Sequence, residues 1–187
     1  MKTKTVEYME KIVRELESTV LKIQNKDADW LIEKILKSKR IFTAGAGRSG
    51  LMVKAFAMRL MHIGIESYVA GETITPGIEK GDLLLIGSGS GETGGLYVMA
   101  KKAKQIGADL AVITIFSESS IGKLADIIIT IPAPTAKVEQ EAGIPSVQPK
   151  GSLFEQCLLI LLEAIIITLM EKMNTGPNIM RRHANLE

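Results

Sequence analysis

AGAGRSGLMVKAFAMRLMHIG, residues 44–64, decides the fold. It sets Gly45, Gly47 and Gly50 in a G-x-G-x-x-G arrangement behind the apolar run RIFTA (residues 40–44). A helical pattern follows, with Met52, Phe56, Leu60 and Ile63 on one face. A strand that ends in glycines and enters a helix aims backbone N–H groups and the positive end of the helix dipole at one spot, which favours an anion there. Read literally, this is the dinucleotide fingerprint. Glu72, near the end of the next apolar run, stands roughly where a dinucleotide site places an acidic residue for the ribose hydroxyls. The turn alone does not decide between the pyrophosphate of a nicotinamide cofactor and a simpler phosphate ester.

Working outward, the same unit repeats. The runs IESYVA (residues 65–70), LLLIG (83–87), LAVITIF (110–116) and IIITI (127–131) alternate with helical segments over Ser49–His62 and from about Thr93 to Ile106. This order predicts an α/β fold, a three-layer α/β/α sandwich around a mostly parallel five-stranded sheet. Ahead of it, Val6, Met9, Val13, Leu16, Val20 and Ile23 form one helical stripe, and a second short helix is expected from Asp29. We read residues 1–38 as a helical arm that braces the domain or a neighbouring subunit, 39–173 as the α/β core and 174–187 as a polar tail, within one domain spanning 1–187. The segment PAPTAKVEQEAGIPSVQPKG (residues 132–151) has no period, and loops of that length are usually functional. A last helix is expected over Ser152–Met173; its apolar run is broken by Glu163 and is short for a bilayer span, so it reads as buried.

Composition narrows the function. A chain of 187 residues has no room for a nicotinamide domain beside a separate substrate domain, and 46% hydrophobic with 4% aromatic residues implies an aliphatic core. The 23 basic and 21 acidic residues are interspersed, without a run that would follow a nucleic-acid backbone. No membrane partner is implied, and MKTKTVEYMEKIVRELES does not read as a signal peptide. The single Cys157 excludes a disulfide framework within the chain and fits a reducing cytoplasm. His62 and His183 lack ligand-spaced partners, so no metal is expected.

A second loop weighs against the dinucleotide. LLLIGSGSGETGG, residues 83–95, again runs from an apolar strand through Ser88, Gly89, Ser90, Gly91 and Thr93 into a helix. Two such turns at the carboxyl ends of neighbouring parallel strands converge on one crevice, and together they wrap a terminal phosphate monoester. The phosphate is expected on Ser49 and the amides around Gly47, and on Ser88, Gly89, Ser90 and Thr93. Arg48 either adds charge to the site or points to solvent or a subunit contact, because a guanidinium matches phosphate oxygens. Glu92 would repel a dianion and is expected to face away, whereas Glu72 and Thr73 are placed to contact the sugar, with Glu72 an alternative base.

Taken together, GAGRSG, SGSGET, PKGSLFEQ and RRHANLE, with FAMRLMHIG and VAGETITP, resemble the 6-phospho-3-hexuloisomerases of the sugar isomerase (SIS) family over nearly the whole chain. The resemblance implies interconversion of D-arabino-3-hexulose 6-phosphate and fructose 6-phosphate, the second step of ribulose-monophosphate formaldehyde fixation. It further implies no cofactor, a phosphorylated ketohexose as partner, and a homo-oligomer, typically a tetramer. Carbonyl migration needs a base at the carbon beside the carbonyl, and a carboxylate in an apolar setting serves. By resemblance Glu155, flanked by Leu153 and Phe154, is that glutamate; the plainer reading is an acidic residue complementing a helix dipole. His183 resembles a terminal histidine delivered into the active site from a neighbouring subunit, the alternative being a solvated tail residue. His62 reads as structural. Two other functions remain open here: another isomerase, such as one for arabinose 5-phosphate, and a non-catalytic sugar-phosphate sensor. Such sensors normally bring a DNA-binding domain, and no helix-turn-helix pattern precedes Arg40.

Overall fold

The computed structural model describes residues 3–134, 146–176 and 182–185. Most of the long loop before the last helix and much of the tail therefore lie outside the described residues. The strands are β1 (Ile41–Gly45), β2 (Ser67–Val69), β3 (Leu83–Gly87), β4 (Asp109–Thr114) and β5 (Ile127–Thr130). The helices are α1 (Lys4–Val20), α2 (Asn25–Lys37), α3 (Gly47–Ile63), α4 (Gly94–Ile106) and α5 (Ser152–Lys172).

All four strand pairings are parallel, in the order β2-β1-β3-β4-β5. Side chains alternate across such a sheet, and both faces are covered. Leu83 and Leu85 of β3 join Phe56 and Leu60 of α3 and Phe154, Leu158 and Leu162 of α5 in one cluster. Leu84 and Ile86 face the other way, into Leu96, Ala100 and Ala103 of α4. The chain leaves β1 for one side of the sheet and returns to β3 on the other, so the order reverses between these strands. In this sheet order the reversal is where a crevice opens at the carboxyl ends of the strands. Gly45 pairs with Gly87 in register, and both glycine loops start from that level.

Helix α5 is long and apolar enough to cross a membrane by length and composition. It lies in the core instead, with Cys157, Leu161, Ile165, Ile166 and Leu169 buried. Burial pushes the Cys157 thiol up to about 11. The N-terminal stripe behaves differently. Leu16 and Ile23 pack on the core, but Met9 and Val13 remain 60% and 62% exposed. α1 ends at Val20, leaving Ile23 in the following turn, and α2 starts about one turn earlier than expected, with Asp27 in its first turn at the favourable end of the dipole.

The glycines of the first loop have separate jobs. Gly47 adopts a left-handed φ of +56° with open space around it. Gly45 and Gly50 instead press strand against helix: a Cβ on Gly50 would lie 2.8 Å from the Gly45 carbonyl oxygen. That is backbone, which cannot swing aside. Gly50→Ala is therefore expected to lower stability by about 1–3 kcal/mol, read from urea melts. An unchanged midpoint would mean that α3 shifts freely.

Candidate active site

A cleft of about 260 Å³ opens at the β1/β3 reversal, and its lining includes Gly47, Arg48, Ser49, Ser88, Gly89, Ser90, Thr93 and Glu155. Three helices begin there. α3 starts after Ala46, α4 after Thr93 and α5 after Gly151, and among the described residues no side chain caps any of them. The first N–H groups of a helix have no partner within it, so three sets of donors and three positive dipole ends border one space. Ala46 and Gly151 cannot cap, and Thr93 leaves its hydroxyl unused for the purpose.

The second loop is held internally without spending its hydroxyl protons. Ser88 Oγ accepts the Gly91 N–H at 3.2 Å, and Ser90 Oγ accepts the Glu92 N–H at 3.3 Å. Each hydroxyl can still donate to an anion. Both serines are buried. Glu92 turns away, its carboxylate accepting the Ser120 N–H at 2.7 Å. The two bonds from Ser120 hold that carboxyl below its usual range, against a smaller effect of burial.

Glu155 projects from the first turn of α5 into the cleft with its side chain 16% exposed, and its Oε2 accepts the Arg48 Nε–H. Arg48 is 62% exposed on the other side of this ion pair. A carboxylate and its counter-ion thus border the cleft beside the donors of the two glycine-serine loops. Phe154, Ile115 and Leu96 supply its apolar wall.

The remaining expected residues lie elsewhere. Glu72 is bound to Lys54 on α3 at 2.6 Å, half exposed, and neither it nor Thr73 lines the cleft. β2 is only three residues long, and the turn after it carries Glu72 outward. His183 is not in the cleft of its own chain. Its Nδ1 lies 3.3 Å from His62 Nε2, near the C-terminal end of α3. The helical rise puts that end about 21 Å from Arg48. Burial above all, then the charges of His183 and Arg59, lower the pKa of His62. Lys150 and Phe154 line the cleft without having been assigned a role from the sequence. The signal available was their place in PKGSLFEQ, next to Glu155.

An α/β domain whose sheet reversal gathers serine hydroxyls, three open helix N-termini and a carboxylate offers donors suited to an anion beside a carboxylate. Comparison narrows the reading. The SIS domain pattern matches residues 34–160. The 3-hexulose-6-phosphate isomerase of Bacillus subtilis (strain 168) is 50% identical over 185 residues, 98% of this chain and 100% of its own. That of Mycobacterium gastri is 42% identical over 174 residues, 92% of this chain and 86% of its own. A crystal structure from Methanococcus jannaschii, for which a molecular function of 3-hexulose-6-phosphate isomerase was inferred, superposes with a TM-score of 0.81 at 35% identity, covering 99% of this chain and 100% of that one. The chain belongs to the SIS domain family, and proteins named 3-hexulose-6-phosphate isomerase are among its relatives.

Proposed function

We propose that the chain interconverts D-arabino-3-hexulose 6-phosphate and fructose 6-phosphate through an enediolate, without a cofactor, as the second step of formaldehyde fixation by the ribulose monophosphate route. The observation that carries this reading is the convergence of three uncapped helix N-termini and the Ser88, Ser90 and Thr93 hydroxyls beside Glu155. A terminal phosphate uses all of those donors; a pyrophosphate lying along one helix does not. The names of the full-length relatives supply the sugar.

In this scheme Ser49, the amides around Gly47, Gly89 and the three hydroxyls of the second loop hold the phosphate. The Glu155 carboxylate takes the proton from the second carbon, the electron pair forms the enediolate across the second and third carbons, and the same proton returns to the third. The fructose carbonyl then stands at the second carbon. His183 moves the hydroxyl proton between the two oxygens, and it does so in a neighbouring chain's cleft, since its own lies at the other end of α3. The exposed stripe of α1 supports association, and we read the assembly as a homotetramer. The single buried thiol of Cys157 suits a reducing cytoplasm.

The direct test feeds the enzyme 3-hexulose 6-phosphate made by a synthase from ribulose 5-phosphate and formaldehyde, and follows fructose 6-phosphate. Enzyme-dependent formation is expected; none would reject the reading. The shared site is tested by mixing. Glu155→Gln and His183→Asn are each expected to be slow alone and to recover activity when exchanged into mixed oligomers. Absence of recovery would return the tail to its own chain.

A further inference from the structure

The cleft has a charge problem. Among the described residues, three on its lining have ionisable side chains: Arg48, Lys150 and Glu155. Arg48 and Glu155 are bound to each other. A phosphate ester bears close to two negative charges and arrives beside a carboxylate. With Arg48 engaged, Lys150 is the remaining cation on the lining among the described residues, and none of these gives it a hydrogen bond or ion pair.

Lys150 is also held in place, although it stands in a stretch of no regular structure. Glu15 of α1 reaches across to the segment just ahead of it. Its carboxylate accepts the Ser146 hydroxyl at 2.6 Å, the Val147 N–H at 2.8 Å and the Gln148 side-chain amide at 3.1 Å. At the other end the Gly151 N–H donates to the Pro134 carbonyl at 3.2 Å, and α5 begins. Lys150 thus sits on a short bridge pinned at both ends. Burial is the largest influence on the Glu15 carboxyl and pushes it up, but the three hydrogen bonds together outweigh it and hold it below its ordinary value. The clamp is a carboxylate at neutral pH, and an amide in its place would face donors with a donor.

We propose that Lys150 is the counter-cation of the substrate phosphate, and that Glu15 of the N-terminal helix is a positioning residue that holds the Lys150 segment against the cleft. This assignment rests on the sugar-phosphate reading above and adds to it a binding residue and a function for the arm. It leaves Arg48 to Glu155, so that one cation serves the base and the other serves the ester. An ammonium at the end of a flexible stem suits a site that needs charge without a fixed fork.

The experiment measures steady-state kinetics with fructose 6-phosphate, competition by inorganic phosphate, and calorimetric binding of fructose 6-phosphate, in the full chain. Lys150→Gln is expected to raise KM and the phosphate inhibition constant together by about ten-fold, since a charge-assisted bond is lost. kcat should stay within about two-fold, the mark of a contact made equally in ground and transition states. Lys150→Arg should restore most of the affinity, and the rise of KM with salt should be shallower in Lys150→Gln than in the parent. Glu15→Gln should raise KM several-fold in the parent and add nothing in the Lys150→Gln background, because it acts through that lysine. Unchanged KM and phosphate inhibition in Lys150→Gln would overturn the assignment. So would a fall in kcat with phosphate inhibition intact, which would put the ammonium against the reacting carbons. If the parent neither binds nor converts fructose 6-phosphate, the sugar-phosphate reading falls first and takes this one with it; if the parent does both and the variants match it, only this one falls.

Discussion

Glu155→Gln is expected to lower kcat by about 10²–10⁴-fold while leaving KM within a few-fold of the parent. An amide keeps the shape of the side chain but cannot accept a proton from carbon. The substitution removes one negative charge from the cleft that in the proposed scheme takes in a phosphate, so binding has no electrostatic reason to weaken. Nor should the fold suffer: the Arg48 partner is 62% exposed, and an ion pair of that kind contributes little, at most about 1 kcal/mol. The competing explanation is that Glu155 matters only as an anchor for Arg48. Arg48→Gln separates the two, because it breaks the same ion pair and leaves the carboxylate. A base retains most of its turnover without Arg48, whereas an anchor loses as much in either variant. Equal loss in both, measured as kcat at saturating substrate, would remove Glu155 from the chemistry.

The contrast between what the sequence revealed and what it hid follows from how far each feature depends on neighbours. β3 falls on LLLIG, residues 83–87, because a central parallel strand is apolar on both faces and bounded by turn residues. The two glycine-serine loops could be placed side by side for the same reason: strand, turn and helix are consecutive in the chain, and parallel order does the rest. Helix starts were less legible. α3 begins at Gly47, ahead of the expected Ser49, because its cap position is Ala46 and carries no capping side chain. A helix without a capping side chain lacks the signal by which helix starts are read, and in the proposed scheme the same open N-terminus receives the phosphate.

Glu72 shows the opposite case. Its distance along the chain from the first loop suited a ribose or sugar contact, yet a strand of three residues and a turn direct it to Lys54 on the outer side of α3. Direction after a short strand is set by packing, and no periodicity records it. Lys150 was hidden for a related reason. The loop before α5 has no period of its own, and the residue that pins it, Glu15, is at the other end of the sequence. His183 is a third instance, since its place against His62 depends on where the tail is laid over the C-terminal end of α3.

Phe154 joins the core to the cleft, and Phe154→Ala is expected to lower stability by about 3–5 kcal/mol, the range for emptying a fully buried aromatic site. The ring is 1% exposed and belongs to the main cluster beneath the sheet, yet it also forms part of the cleft wall. Its edge supports the second loop: a Cβ on Gly89 would come within 3.3 Å of the ring and 3.4 Å of the Ile115 side chain, so loop and ring are already in close packing. Removing the ring takes away the floor under Ser88 and Ser90 and the packing that fixes the first turn of α5, where Glu155 stands. Two consequences should therefore appear together. The melting temperature should fall by about 2–4 °C for each kcal/mol lost, as expected for a domain of this size. Well below the transition, kcat/KM should fall as well, because the hydroxyls and the carboxylate no longer share a fixed geometry. Phe154→Leu keeps most of the apolar volume and should lie between the two. If Phe154→Ala lost stability but kept full kcat/KM at low temperature, loop and base would be positioned independently of the core, and the alignment of the site would have to come from the helix termini alone.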